Sequence, residues 1–294
     1  MTASFSIIIP AYNRPIKLAQ CLESLAQLDY PADALEVVVV DDGSERPLAG
    51  AVESYKDRLD VRLVRQANQG PAAARNFGVS QARHDFIAFT DDDCRPAPDW
   101  LRQFADQLAR DPECLVGGHT VNLLLDDTFA EASQLILDVV YDYYNADPES
   151  ARFFSNNNFA LSKSLYEELG GLDVRFRASE DRDFCERWLD SGRRMVYLSN
   201  ALIHHSHHLS LKQYCLQHFR YGKGAFEFRN TRQVSQTTHE QGDLGIHLDP
   251  RYWFRALARR PGWWMRIKLS FALFVWRLAD TFGYVYARFT GKTA

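Results

Sequence analysis

Val37-Val38-Val39-Val40, between Glu36 and Asp41, is the segment that most narrows what this chain can become. Four β-branched residues in succession disfavour a helix, and with no polar alternation they fit a strand covered on both faces. Ser6-Ile7-Ile8-Ile9 and Phe86-Ile87-Ala88-Phe89 repeat the pattern, and Val61-Arg62-Leu63-Val64 is a weaker version. Helix-period stretches lie between them. Pro15 to Leu28 puts Leu18, Cys21, Leu22 and Leu25 on one face, with Asn13 or Arg14 near the cap. Gly70–Ser80 is a short Ala-rich helix behind a Gly-Pro turn. Fully apolar strands alternating with helices predict an α/β domain with a mostly parallel central sheet flanked by helices.

Further along, Asp99–Arg110, Glu131–Tyr144 and Asp183–Ser191 read as helices and Met195–Leu198 as a strand, while 115–165 is otherwise mixed. Asn230–Gly245 is polar and Thr/Gln-rich, as a loop would be. The expected organisation is a domain over 1–229, in halves 1–110 and 111–229, then a polar loop over 230–248 and a helical tail over 249–294. A net charge of −4 argues against a nucleic-acid partner. The five cysteines are scattered, with no Cys-x-x-Cys pair, which suits a reducing compartment and a cytoplasmic protein. Phe5–Pro10 is too short for a signal peptide, and Leu269–Trp276 is too short to span a bilayer.

Chemistry gathers where the strand patterns stop. Phe86–Phe89 runs through Thr90 into Asp91-Asp92-Asp93. Three adjacent carboxylates at the edge of a core repel one another unless a cation joins them, so Asp91-x-Asp93 predicts a divalent-metal seat that also holds phosphate. The first strand ends in Pro10-Ala11-Tyr12-Asn13-Arg14 and the second in Asp41-Asp42-Gly43-Ser44. In a parallel sheet such ends share one edge, where ligands bind. Tyr12 can stack on a base, Asp41 or Asp42 can accept bonds from a base or ribose, and Arg75 can position a phosphate.

In this order and at these spacings, Ser6–Asn13, Val38–Ser44, Gly70–Asn76 and Phe89–Cys94 resemble glycosyltransferase family 2. The likeness is dense over 5–101, looser from Asn156 to Gly192 and absent from the tail. It implies a GT-A nucleotide-binding sandwich and an inverting transferase that uses a nucleotide-diphosphate sugar, above all a UDP-sugar, with Mg²⁺ or Mn²⁺. By position it implies nucleotide contacts from Pro10, Ala11, Tyr12, Asn13, Arg14, Asp41, Asp42, Arg75, Asp91 and Asp92. Asp93 would ligate the metal, Asp91 would face the ribose or the metal shell, and His205 or His207 would lie near the metal or diphosphate. Because the middle DxD position is itself Asp92, two ligating acids are not singled out. Ala178–Asp183 matches the motif that carries the catalytic base, Asp181 first and Glu180 second. Asn156, Asn157 and Asn158 match the loop lining the donor sugar or acceptor. The acceptor would be a glycan, a lipid-linked sugar or a cell-surface polysaccharide precursor; a catalytically silent sugar-nucleotide-binding scaffold is the competing reading.

Tyr221-Gly222-Lys223-Gly224 lacks the spacing of a phosphate loop and reads as a hinge or acceptor loop. From Pro250 onward there are nine Lys/Arg and one acid, Asp280, interleaved with Trp253, Trp263, Trp264, Phe271, Phe274 and Trp276. Two expectations stand for this tail. It is an interfacial helix on an anionic membrane, seating the protein peripherally on the inner face, or a helix packed on the domain with its arginines in water.

Overall fold

The computed structural model describes residues 3–233 and 249–291. In chain order the first elements are β1 (Phe5–Ala11), α1 (Pro15–Leu25), β2 (Leu35–Asp42), α2 (Ala49–Glu53), β3 (Val61–Gln66), α3 (Pro71–Ser80) and β4 (Phe86–Phe89). Then come β5 (Cys94–Pro96), α4 (Trp100–Arg110), β6 (Leu115–Asn122), α5 (Thr128–Tyr144), β7 (Phe159–Ser162), α6 (Lys163–Glu168), α7 (Glu180–Asp190) and β8 (Met195–His205). Among the described residues, α8 (Leu211–Gln233), α9 (Pro250–Ala258) and α10 (Trp263–Thr290) follow. The chain divides into two compact units. The first comprises Met1–Val121, Asp147–Arg175 and Glu180–Ser206, the second Asn122–Ala146, Phe176–Ser179 and His207–Ala294.

The first unit holds one eight-stranded sheet in the order β3-β2-β1-β4-β7-β6-β8-β5. β1 pairs in parallel with β2 and β4, and β2 with β3. Every residue of β2 is buried, as its unbroken valines require. The chain steps outward from β1 to β2 to β3, then returns through α3 to β4 on the other side of β1. That reversal opens a crevice at the carboxyl ends of β1 and β4, the usual place for a ligand in such sheets. The other half is different. β7 pairs antiparallel with β4 and β6, and β5 antiparallel with β8, so the sheet as a whole is mixed.

β6 and β7 lie in the stretch whose sequence reads as mixed. β6 contains Gly117-Gly118, which β-propensity disfavours. The glycines are there because a Cβ on Gly117 would come within 2.2 Å of the Phe154 ring, and one on Gly118 within 2.2 Å of the Ala201 carbonyl. Away from the crevice, Glu36 is fully buried in β2. Burial alone would raise its pKa, but bonds from Ser6 Oγ (2.6 Å), the Arg83 amide (2.6 Å) and Arg62 (2.8 Å) hold it down at about 2. Such a fully satisfied buried acid is a framework group.

The second unit is helical. α5 starts at Thr128 because Asp127 caps it, accepting bonds from the amides of Phe129 (3.0 Å) and Ala130 (3.1 Å). Tyr221–Gly224 lies in the middle of α8, so the hinge or loop expectation there is corrected. A Cβ on Gly222 would sit 1.9 Å from the Asp280 carbonyl, and one on Gly283 2.0 Å from the Phe219 carbonyl. The two glycines let α8 and α10 touch backbone to backbone. Asn230–Gln233 continue α8, shortening the expected polar loop; its remainder, 234–248, lies outside the described residues.

His218 is 3% exposed, its ring 4.4 Å from that of Tyr214, and neither ring nitrogen has a hydrogen-bond partner. Burial lowers its pKa from 6.5 to about 4. Between those values the unfolded chain binds the proton and the folded chain does not, so stability falls as pH drops through that window. Against a His218→Phe variant, the wild type should lose up to about 3 kcal/mol between neutrality and pH ~4. Asp280, pushed up to about 6 by burial, acts in the opposite sense but equally in both proteins. Parallel pH profiles of urea unfolding would refute the assignment. Gly283→Val should destabilise by about 3 kcal/mol or more, read as a lowered Tm.

Candidate active site

The crevice is assembled from strand ends. β1 ends at Ala11, leaving Tyr12 45% exposed. Asn13 turns the chain with φ +58, a conformation that asparagine tolerates better than most residues. Its side-chain oxygen accepts the amides of Glu45 (2.8 Å) and Arg46 (3.0 Å), and its own amide donates to Ser44 Oγ (2.8 Å). The loop after β1 is thereby tied to the loop after β2.

Asp41 and Asp42 are both buried. Asp41 accepts from the Ser44 amide (2.8 Å) and Arg65 (3.0 Å). Asp42 accepts from Gln66 (2.8 Å) and from the amides of Gln69 (2.9 Å) and Gly70 (2.9 Å), which fixes the entry to α3. A carboxylate has about four acceptor directions. Asp41 therefore keeps more capacity for a ligand than Asp42.

The three aspartates after β4 take different partners. Asp91 pairs with Arg75 at 2.5 Å. Arg75 is itself 4% exposed and lies 3.8 Å from Glu180, so its guanidinium is placed between carboxylates. Arg14, which opens α1, reaches Asp92 (3.2 Å) and Asp93 (3.1 Å). Lys17, one turn further along α1, reaches Asp93 (3.2 Å) and the Ser206 carbonyl (3.0 Å). Burial pushes Asp92 up to about 7; Arg14 opposes this, and Asp93 and Asp91 add to it. Three carboxylates here meet three basic neighbours, and burial still disfavours the charged form of Asp92.

β5 begins immediately after Asp93 and pairs antiparallel with the end of β8, with Cys94 opposite His205. That register brings His205 Nε2 to 3.2 Å from Asp93 Oδ1. Among the described residues, Asp93, Cys94 and His205 place ligand atoms within 4.8 Å of one another. The Cys94 thiol is fully buried, and burial holds its pKa well above the ordinary value. A neutral thiol is a poor ligand for a hard cation; the carboxylate suits Mn²⁺ or Mg²⁺, and the imidazole beside it favours Mn²⁺ over Mg²⁺. The carboxylate and imidazole, with ligand atoms this close together, thus fit a divalent metal on Asp93 and His205. His207 falls in the second unit, as does His208, which pairs with Asp127.

The asparagine run divides its work. Asn158 is fully buried, accepting from Trp100 Nε1 (2.8 Å) and donating to the Ala201 carbonyl (3.3 Å). It packs the core, which corrects its expected place against a sugar. Asn157 faces Thr120 (3.5 Å) and Cys94 Sγ (3.6 Å). Asn156 donates to Glu180 (3.2 Å), and its own side-chain oxygen is buried without a partner.

Glu180 and Asp181 open α7, where the helix dipole favours acids. Glu180 is buried and engaged by Asn156 and Arg75. Asp181 accepts the Arg182 amide (2.8 Å) and remains partly accessible. Burial, then repulsion from Glu180, pushes its carboxyl up to about 7. Of the pair, Asp181 is the better proton acceptor near neutrality. The sequence reading gives Lys17 no mention and Cys94 no role; the three-residue step from Arg14 to Lys17, one helical turn, is the signal that marks the lysine.

The chain is similar to known glycosyltransferases in sequence and in fold. The chain is 28% identical over 225 residues to a pre-mycofactocin glycosyltransferase of Mycobacterium tuberculosis, a match covering 75% of this chain and 46% of that protein. It thus spans about half the length of that relative. Glycosyltransferase AglE of Haloferax volcanii is 26% identical over 231 residues, 76% of this chain and 73% of that one. Among solved structures, the fold is similar to a mannosyltransferase from Pyrobaculum calidifontis in complex with GDP-Man and Mn²⁺, with a TM-score of 0.69, 19% identity and coverage of 99% and 88%. Staphylococcus aureus TarS 1–349 with UDP-GlcNAc matches at TM-score 0.57 and 19% identity, covering 98% and 92%. These neighbours share the mixed α/β sheet expected of the GT-A fold. The sequence model described as "Glycosyl transferase family 2" matches residues 6–170, more than half of the chain, and the chain belongs to that family.

Proposed function

We propose that the chain is a metal-dependent, inverting glycosyltransferase that moves a sugar from a UDP-sugar to an acceptor hydroxyl of a glycan or lipid-linked precursor. The observation that carries this reading is Asp181, a partly accessible carboxyl raised to about 7 in the same unit as the Asp93–His205 pair. In the proposed step the acceptor hydroxyl gives its proton to the Asp181 carboxylate. The acceptor oxygen bonds to the anomeric carbon, and the bond from that carbon to the diphosphate breaks on the opposite face. Asp93 and His205 would hold Mg²⁺ or Mn²⁺, which when bound offsets charge on the departing diphosphate. Tyr12 would stack on the base, with Pro10, Ala11, Asn13 and the spare capacity of Asp41 around the nucleoside. Arg14 and Lys17 would meet phosphate oxygens. Asn156 and Asn157 would face the sugars. Arg75 sets Asp91 and Glu180 rather than acting on phosphate alone. The uridine preference is supported by the TarS complex; the GDP-Man complex names the competing base.

Calorimetric titration of UDP and GDP with Mn²⁺, Mg²⁺ or EDTA tests the donor site. Metal-dependent binding of UDP, weakened about tenfold or more by Asp93→Ala or His205→Ala, is expected. Metal-independent binding that neither variant alters would remove the assignment.

The base has its own signature. Asp181 acts as the carboxylate, so kcat/KM should rise with pH through about 7 and level off above it. Asp181→Asn should lower kcat by ~10²–10⁴-fold with nucleotide binding intact. Because its folded pKa is raised, ionised Asp181 costs stability above pH 7, and Asp181→Asn should melt higher there. A variant that binds nucleotide normally and retains full turnover would exclude Asp181 as the base. Nucleotide binding by the wild type with no transfer to any acceptor would favour the silent scaffold.

A further inference from the structure

α10 has two apolar faces, and only one is used. Leu269, Ala272, Trp276, Gly283 and Ala287 are buried within the second unit. On the other side, Trp264, Ile267, Phe271, Phe274, Phe282 and Phe289 stand in water, Phe271 58%, Phe282 64% and Phe289 81% exposed. Their spacings of three, four, seven and eight residues keep them in one line along the helix. Twenty-eight helical residues extend about 40 Å, so this is a long ridge, with Trp263 and Trp264 stacked 4.0 Å apart at its start. Single exposed apolar residues are ordinary; a contiguous aromatic ridge marks an interaction surface.

Charge decides what covers it. Lys268, Arg266 and Arg288 on α10 are exposed, as is Arg255 on α9 beside Phe254. The only acid in α10, Asp280, is partly buried and faces Arg277 and Arg229. A second copy seated on this ridge would set cations against cations. An anionic lipid surface is complementary to both the aromatic residues and the cations around them. No helix among the described residues is long and apolar enough to cross a membrane, so the ridge would lie along a bilayer rather than through it.

We infer that the outward face of α10, from Trp264 to Phe289, is a docking surface for an anionic lipid bilayer, with the aromatic rings at headgroup depth and Lys268 and Arg288 among the lipid phosphates. The inference concerns the second unit alone and does not depend on the transfer reaction.

The test is co-sedimentation of the full chain with phosphatidylcholine vesicles, with or without roughly one-third phosphatidylglycerol, alongside tryptophan emission. Binding about tenfold stronger to the anionic vesicles, weakened by salt and accompanied by a blue shift, is expected. Phe271→Glu/Phe274→Glu/Phe282→Glu should abolish binding and the shift. Lys268→Glu/Arg288→Glu should remove the preference for anionic lipid. These side chains are exposed, so circular dichroism and Tm should match the wild type. Failure of the wild type to bind either vesicle would overturn the inference, as would a wild-type dimer that the aromatic variant makes monomeric. Neither result bears on nucleotide binding or turnover.

Discussion

Negative charge at the carboxyl ends of β1, β2 and β4 is the constraint to which the first unit answers. Asp41, Asp42, Asp91, Asp92 and Asp93 converge there because the strand order reverses between β1 and β4. All but Asp91 are buried and demand partners in a setting poor in water. Gln66 and backbone amides settle Asp42, and Arg65 with the Ser44 amide settles Asp41. Arg75, Arg14 and Lys17 come from helices that pack on the same edge. Even so, Asp92 stays reluctant to ionise. A scaffold that stops short of neutralising its own acids suits a site whose remaining positive charge arrives with a ligand.

The parallel half of the sheet was legible because two-sided burial leaves a plain mark: uninterrupted Val and Ile. The strand-end motifs were legible for the same reason, since each begins where a run stops. The antiparallel half was hidden. β6 carries Gly117-Gly118 to make room for Phe154 and Ala201, and that need is tertiary. Asn158 looked like its two neighbours and proved to be core, because nothing local records that Trp100 would offer it an indole N–H. α8 escaped notice since its apolar residues gather on no single face and its glycines resemble a turn. That Asn156 and Arg75 engage Glu180 and leave Asp181 less occupied is likewise tertiary and has no local mark in the sequence.

The tail offered two readings, and the second unit contains elements of both. One face of α10 is buried and its exposed basic residues are solvated, as a packed helix requires. The aromatic residues that suggested an interface lie mostly on the other face. Interleaving of aromatic and basic residues in sequence therefore did not distinguish the two, because a helix sorts neighbours in sequence onto different sides.

The pairing of β5 with β8 sets Cys94 opposite His205 over a strand of three residues. Successive side chains on a strand point to opposite faces, so the imidazole meets Asp93 only in one alignment. An inserted or deleted residue late in β8 would turn His205 to the far side of the sheet while leaving every acid of the crevice in place. The histidine's place is thus a matter of register: a one-residue slip in one direction seats His204 there, and in the other Ser206, which has no imidazole. In a run that reads His204-His205-Ser206-His207-His208, a two-residue slip from position 205 finds another histidine at 207.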